Sequence, residues 1–162
     1  MTAPEVENFL HENIPLTKAM GVRVVLVDDH EVRLSAPLGP NVNHLETGFG
    51  GSIAALAITT GWVCLRLRFG PPVQIVIRDC QMKFTRPIEG DFEAVCHPPS
   101  TREWERFESR LNRKHRAKMD LEVNVFGGET QAFHLRATYV ASRELAGDSA
   151  VVSFQAAPVP AQ

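Results

Sequence analysis

The chain has 162 residues, of which 44% are hydrophobic and 22% are charged, a composition typical of one globular domain. Its 17 Lys and Arg against 19 Asp and Glu give a net charge of −2, which argues against the broad basic surface of a nucleic-acid-binding protein. The acidic N-terminus lacks the charged-then-apolar pattern of a signal peptide, so we expect a cytoplasmic protein.

The N-terminal part of the chain predicts short elements. Thr2 and Glu5 have the spacing of a helix capping box, and apolar residues follow them at helical intervals. A second helical turn comes next, then two β-branched runs that predict an antiparallel hairpin, then a loop rich in Pro, Gly and Asn. These elements are predicted, in order, over residues 2–14, 15–20, 22–27, 32–36 and 37–47.

The central segment, FGGSIAALAITTGWVCL over residues 49–65, contains no charged side chain. It is apolar around its whole circumference, which excludes a helix on the protein surface. Its length is close to the lower limit of about 17 residues for a membrane span. Six of its seventeen residues are Gly, Ser or Thr, however, and nothing else in the chain resembles a membrane protein. We therefore predict a helix buried inside a domain, with the other elements around it.

The C-terminal part of the chain predicts most of the strands that surround this helix. One strand changes its apolar phase near Arg78, which predicts a β-bulge. Ser100 and Glu103 have the spacing of a second capping box, and strict alternation after residue 116 indicates a strand with one buried face. Gly127 and Gly128 are typical of a two-residue hairpin. The predicted elements are strands over 73–84 and 92–97, a helix from 100, and strands over 116–125 and 133–139.

The predicted order α-β-β-α-β-β-α-β-β implies an α+β fold, with a curled antiparallel sheet of six strands around one long buried helix. We expect residues 1–145 to form a single domain and residues 146–162, rich in Ala and Pro, to be a loosely held tail. Three free cysteines inside apolar segments favour packing as small hydrophobic side chains. Neither a metal site nor a cofactor is expected.

The entry to the central helix is the strongest candidate for a site. Glycines at 50 and 51 permit close approach to backbone N–H groups that have no partner within a helix. Such a helix end can hold an anion or polarise a carbonyl as an oxyanion hole does. The same glycines could instead serve only tight packing against the sheet, and the spacing does not separate these two interpretations.

Several motifs resemble those of hotdog-fold acyl-CoA thioesterases. Asn43 and Thr47 precede the glycine pair as Asn-x-x-x-Thr-x-x-Gly-Gly, and Lys83–Pro87 with Gly90 resembles that fold's strand-end pattern. With Phe49–Ser52 and Gly61-Trp62, the chain more narrowly resembles a bacterial thioesterase family found alone or behind acetyltransferase domains. The resemblance covers roughly residues 14–141 and implies the hotdog fold, thioester hydrolysis, and sites formed between protomers.

The resemblance also implies roles for particular residues. The Gly51 N–H would polarise the thioester carbonyl, and Asn43 would orient the acyl group or the water. The candidates for the base come from the residues themselves: His44, which could instead be an exposed loop histidine, and Asp79, which could instead form an ion pair with Arg78 or another basic residue. Asp79 is a carboxylate within an otherwise apolar strand, and it is useful to catalysis only if it faces the site. The residues predicted to contact substrate are Phe49, Gly50, Ser52, Thr60 and Arg86.

Two departures from related thioesterases bear on the mechanism. The phenylacetate-pathway type has His where this chain has Phe49, and a catalytic Asp on the helix where this chain has Ile58. The usual activation of water by that carboxylate therefore cannot be carried over. Alternatives are an acyl-CoA-binding domain without turnover and an enoyl hydratase or dehydratase, since fold alone does not determine function.

The expected substrate is an acyl-CoA or an acyl carrier protein, with no nucleic acid and no membrane as partner. Unpaired sheet edges favour a homodimer or a dimer of dimers. A basic cluster could attract CoA phosphates or be simply a solvated surface; it comprises Arg110, Arg113, Lys114, Arg116 and Lys118.

Overall fold

The computed structural model describes residues 1–70 and 72–143, so the predicted boundary at residue 145 and the tail lie outside the described residues. Four α-helices, one 3-10 turn and six strands lie within the described part. The helices are α1 (Ala3–Asn13), α2 (Pro15–Ala19), α3 (Gly50–Arg68) and α4 (Thr101–Lys114), and the 3-10 turn covers Gly39–Asn41. The strands are β1 (Arg23–Val27), β2 (Val32–Ala36), β3 (Gln74–Phe84), β4 (Phe92–Cys96), β5 (Arg116–Gly127) and β6 (Thr130–Ser142).

Both predicted capping boxes are confirmed. The backbone N–H of Thr2 donates to Oε2 of Glu5 over 2.7 Å, and the N–H of Ser100 donates to Oε2 of Glu103 over 2.8 Å. These bonds satisfy N–H groups for which the first turn of α1 or α4 has no acceptor.

The six strands form one antiparallel sheet in the order β1-β2-β4-β5-β6-β3. The alternation predicted in β5 is confirmed, because buried and exposed residues alternate from Arg116 to Val125. Strand β3 forms one edge of the sheet, and among the described residues its part over 75–84 pairs with β6 alone. An edge of this length carries unpaired backbone groups along its outer side.

The predicted bulge in β3 is confirmed, since the β3–β6 register shifts between Ile77 and Asp79. Before the shift Ile77 pairs with Tyr139, and after it Cys80 pairs with Ala137, both of which are buried. Directly opposed residues share a face of the sheet. One extra residue therefore moves the inward side chains of β3 from odd to even positions.

The hairpin between β5 and β6 differs from the prediction by one residue. Gly127 is still paired, with Thr130, so the two-residue loop consists of Gly128 and Glu129. Gly128 has φ +59°, a left-handed conformation that glycine adopts without strain.

Helix α3 lies in the concave side of the sheet and forms the centre of the core. Leu56, Ala57 and Leu65 are fully buried there. Strand β6 approaches the helix at Gly61, where an added Cβ would lie 2.9 Å from Cζ of Tyr139. The Tyr139 hydroxyl donates to the Ile58 carbonyl over 2.8 Å. The helix is long and apolar enough to cross a membrane, but the sheet around it identifies it as the core helix of the domain.

Helix α4 covers the C-terminal end of α3. Phe107 and Leu111 are buried, and the Phe69 ring packs against Trp104 and Phe107 with ring centroids 5.7 and 5.3 Å apart. This apolar contact orients α4 and leaves its opposite face to solvent.

The cysteines divide into two groups. Cys64 and Cys96 are buried as predicted, and Cys64 together with burial raises the pKa of the Cys96 thiol, so that it stays protonated. Cys80 is exposed, contrary to the prediction that all three pack inside. Its part of β3 lies at the sheet edge, where none of the described helices and strands covers it.

Candidate functional site

The first turn of α3 presents backbone donors without partners. The first intrahelical bond runs from the Ile53 N–H to the Phe49 carbonyl over 3.0 Å. Within the described residues the N–H groups of Gly50, Gly51 and Ser52 meet no acceptor, and no side chain caps the helix. These donors and the helix dipole together place about half a positive charge at the helix end.

Two aromatic rings frame this helix end. A Cβ built on Gly51 would lie 2.8 Å from Cζ of Phe49, and one built on Gly50 would lie 3.3 Å from Cε1 of Phe84. Phe49 is 54% exposed and Phe84 is 53% exposed, and the Phe84 ring packs edge-on against Phe133. The glycines therefore let both rings lie directly over the helix terminus, leaving a site with polar donors and apolar walls.

Phe84 was not among the predicted site residues. The signal that could have identified it is its place in the strand-end motif 83–87, where an aromatic precedes Arg-Pro. Its approach to Gly50 joins residues 34 positions apart, and no local pattern reveals such a contact.

Asn43 organises the loop that leads into α3. Its Nδ2 donates to the Thr47 hydroxyl over 3.0 Å and to the Gly48 carbonyl over 3.3 Å. Its Oδ1 accepts from the N–H groups of Leu45 and Thr47. The carboxamide thus uses all four of its hydrogen-bonding positions inside the loop. In this arrangement Asn43 positions the loop and has no free group with which to orient an acyl chain or a water molecule.

His44 follows Asn43 and is exposed at the tip of the same loop. The turn is completed at Glu46, whose φ of 59° is left-handed. The backbone of Phe49 donates to Asn41 and that of Gly48 donates to Ile88, both over 2.7 Å. The loop is therefore held at both of its flanks, while its imidazole is open to solvent.

Asp79 does not meet the condition set for a catalytic base. It pairs with Thr138, whose hydroxyl donates to Oδ1 of the exposed Asp120 over 2.6 Å. The buried neighbours Ala137 and Tyr139 point the other way, toward α3. Asp79 thus lies on the outer face of the sheet and is exposed, so the inference from an apolar strand segment is corrected. The bulge at residue 78 is the physical cause, because it reverses the side on which Asp79 lies.

Thr60 is likewise unable to contact a ligand in this arrangement. It is fully buried, and its hydroxyl donates to the Leu56 carbonyl over 2.8 Å. Thr59 makes the equivalent bond to Ala55. Both hydroxyls bond to the preceding helical turn, as threonines inside helices commonly do.

Arg86 lines an open cleft of about 620 Å³ beside the site. The cleft runs between the 86–90 segment and the β5–β6 hairpin. Ile88 borders it, and the same side chain packs under Gly48 at the entry to α3. The cleft and the helix terminus are therefore neighbours, separated by one buried isoleucine.

Ile58, which stands where related enzymes have a carboxylate, lies partly exposed two turns into α3. It belongs to a stripe along the helix that the sheet does not cover. The partly exposed members of this stripe are Ser52, Ala55, Ile58 and Thr59. Within the described residues no Asp or Glu lies on α3, so this helix brings no carboxylate to its N-terminus.

Comparison with known protein families shows to which family this chain belongs. A family described as "Putative thioesterase (yiiD_Cterm)" matches residues 3–143, most of the chain. The chain belongs to this thioesterase family. The resemblance predicted from the helix-entry motifs is thereby confirmed, and thioester hydrolysis is the reaction class that membership supports.

Solved structures agree with this membership. A protein of unknown function from Chlorobaculum tepidum is 26% identical with a TM-score of 0.82, covering 88% of this chain and 98% of that one. A "putative thioesterase" from Shewanella oneidensis is 28% identical with a TM-score of 0.76, covering 87% and 97%. A thioesterase from Haemophilus influenzae, 13% identical, shares the fold with a TM-score of 0.73 over 91% and 95%. The predicted hotdog fold is confirmed.

Proposed function

We propose that this thioesterase-family protein hydrolyses acyl thioesters of CoA or of an acyl carrier protein at the N-terminus of α3. The observation that carries the proposal is the set of three unpartnered N–H groups at Gly50, Gly51 and Ser52. Donors fixed before the reaction stabilise the negative charge that develops on a carbonyl oxygen under attack.

The reaction requires few protein groups. The thioester oxygen accepts hydrogen bonds from the Gly51 and Ser52 N–H groups, which polarises the carbonyl carbon. A water molecule attacks that carbon while a base takes one of its protons, forming a tetrahedral oxyanion. The intermediate collapses, the C–S bond breaks, and the sulfur takes the proton as it leaves. The products are a carboxylic acid and a free thiol.

His44 is the base that the placement of residues favours. Imidazole is the side chain most often used as a general base, and in a neutral form it can accept a proton from water. Asp79 faces away from α3, and Thr60 is buried. Glu46, two residues further along the loop, is the alternative base.

The acyl group would bind against apolar side chains at the helix end. Phe49 and Phe84 are half-exposed beside the donors, and Leu45 is exposed on the preceding loop. Arg86 would bind a phosphate of the leaving group from the adjacent cleft, since a guanidinium pairs well with phosphate oxygens. In this arrangement the thioester lies between an apolar wall and a charged cleft.

A homodimer would complete this site. Within the described residues no strand pairs with the outer edge of β3 over 75–84, and Val76, Met82 and Phe84 are exposed there. Pairing two β3 strands across a two-fold axis would satisfy the edge and cover these side chains. A dimer of dimers is compatible with the same contact. Either assembly would place a second protomer next to the terminus of α3.

Binding of acyl thioesters without turnover is the second candidate. Two observations favour binding without turnover: Ile58 stands where related enzymes have a carboxylate, and Asp79 lies on the face of the sheet opposite to α3. A site of this kind would retain the donors and lack a strong base.

The test is steady release of thiol from a panel of acyl-CoA substrates, followed with a chromogenic disulfide reagent. Cys80 is an exposed free thiol and will consume one equivalent of that reagent, so the rate is measured after this burst. Continuous release would support hydrolysis, whereas tight binding without release would support the second candidate. Addition of water to an enoyl-CoA would contradict both.

A further inference from the structure

The solvent face of α4 carries four arginines in a single row. Arg102, Arg106, Arg110 and Arg113 recur at intervals of four, four and three residues, and all are exposed. Residues at these spacings share one side of a helix. With a rise of 1.5 Å per residue, the row extends over about 16 Å. We call these four residues the arginine face.

The arginine face is not explained by the stability of α4. Like charges four residues apart are destabilising, and Arg102 places a cation in the first turn, where the helix dipole disfavours it. Within residues 1–70 and 72–143, none of the four arginines lies within 4 Å of a carboxylate. The nearby Glu103 caps the helix through Ser100, and Glu108 pairs with Arg68. Arg106 interacts with Glu103 through its charge alone, and all four guanidinium groups are exposed and accessible to an external partner.

The shape and surroundings of the arginine face indicate what kind of partner it could bind. The arginines lie on the convex side of a helix, and none of them lines a cavity in the described part of the chain. A row about 16 Å long is also too extended to bind one phosphate group. These two features favour a macromolecular surface over a small anion.

Two kinds of macromolecule fit poorly. The arginine face has no exposed aromatic side chain for base stacking, since Trp104 packs under the helix against Phe69. A membrane surface would require apolar side chains between the cations, and Phe107 and Leu111 are buried on the opposite side.

We propose that the arginine face docks an acidic protein that carries the acyl group as a thioester. A helix or turn with several carboxylates would pair with the row of guanidinium groups, each of which can bind a carboxylate through two hydrogen bonds. Docking follows from the charge and shape of α4 alone. That the partner delivers a thioester rests on the proposed function.

The test uses a fluorescently labelled acyl carrier protein, a small acidic protein, and measures its binding by fluorescence anisotropy. Arg106→Glu and Arg110→Glu reverse single charges on the arginine face, and Lys18→Glu makes the same change at an exposed site on α2. A glutamate at 106 would stand four residues from Arg102 and Arg110, so this variant should melt no lower than wild type. Loss of binding can then be separated from loss of folding.

We expect binding that weakens as salt rises from about 50 to 300 mM, and a Kd about tenfold higher in each arginine variant. Lys18→Glu should leave the Kd within about twofold of wild type. Absence of binding, equal weakening by Lys18→Glu, or tighter binding of a labelled RNA duplex would overturn the proposal.

Hydrolysis of acyl-CoA, measured on the same variants, separates this proposal from the proposed function. Unchanged acyl-CoA turnover in Arg106→Glu, with loss of carrier-protein binding, is the expected pattern. Carrier-protein binding in a protein that hydrolyses no thioester would refute the proposed function and leave the docking surface standing.

Discussion

Substitution of Gly51 gives the most direct test of the helix terminus as an oxyanion site. A Cβ at this position would clash with Cε1 of Phe49 and lie 2.8 Å from its Cζ, and ordinary contact begins at about 3.4 Å, so the ring has to retreat by more than 0.6 Å. Valine adds two methyl groups in the same space. The displaced ring and the new side chain would both cover the N–H groups that we propose to bind the thioester carbonyl.

The expected effect is large on turnover and small on stability. Losing an oxyanion donor typically reduces kcat by about 10²- to 10³-fold, equivalent to roughly 3–4 kcal/mol of transition-state stabilisation. The Phe49 ring is half-exposed and can move at little cost, and valine has a slightly better helix propensity than glycine. We therefore expect Gly51→Val to fold with nearly the wild-type free energy of unfolding while losing turnover.

The assay combines steady-state thiol release with thermal unfolding of the same preparations. Gly70→Val is the matched control, because it lies beyond the other end of α3 and a Cβ there meets nothing within 4 Å. It should retain wild-type kcat. Wild-type turnover in a folded Gly51→Val protein would refute the reasoning and leave the glycine pair as a packing feature.

Three further predictions follow from the described contacts. Light scattering should report a dimer or tetramer, and Met82→Asp should shift it toward monomer by placing a charge on the exposed edge of β3; a wild-type monomer at micromolar concentration would contradict a site shared between protomers. His44→Ala should lower kcat by about 10²-fold, while Asp79→Asn should leave kcat unchanged; the reverse result would mean that the outer face of the sheet carries the chemistry. Burial raises the pKa of Tyr139, the only tyrosine, so the folded state disfavours its phenolate. This contribution to stability is complete below the unfolded pKa of about 10 and is lost as the pH rises above it. Phenolate absorbance should therefore appear only together with unfolding, and a reversible titration near pH 10 in the folded protein would exclude the buried placement.

The fold was predictable because its signals are local and mutually consistent. Seventeen uncharged residues can form only a helix covered on most sides, and the alternation in β5 determines which of its residues face that helix. The phase change at Arg78 also predicted the bulge correctly. Predicting the bulge did not show on which face of the sheet Asp79 lies, because counting along one strand does not show which residue pairs with Thr138.

The site was less predictable, because its geometry depends on contacts between distant segments. The glycine pair and its free N–H groups follow from the sequence and the rules of helix ends. The sequence does not show that Asn43 bonds only within its own loop, since a carboxamide can bond equally well to a loop or to a ligand. The sequence also does not show the contact between Phe84 and Gly50, because that contact depends on the curvature of the whole sheet.

The contact between β6 and α3 has a consequence for the evolution of this enzyme family. The Tyr139 hydroxyl bonds to the Ile58 carbonyl, and Gly61 leaves room for the tyrosine ring to come close to α3. This contact with β6 therefore determines the position of α3 along the helix axis. Ile58 is seven residues from Gly51, about 10 Å along the helix. A residue larger than glycine at 61 would push the helix from the sheet and carry its first turn with it. Since a displacement of about 1 Å can cost 10²-fold in rate, the reaction that we propose at the first turn, three turns away, would limit the freedom to change position 61.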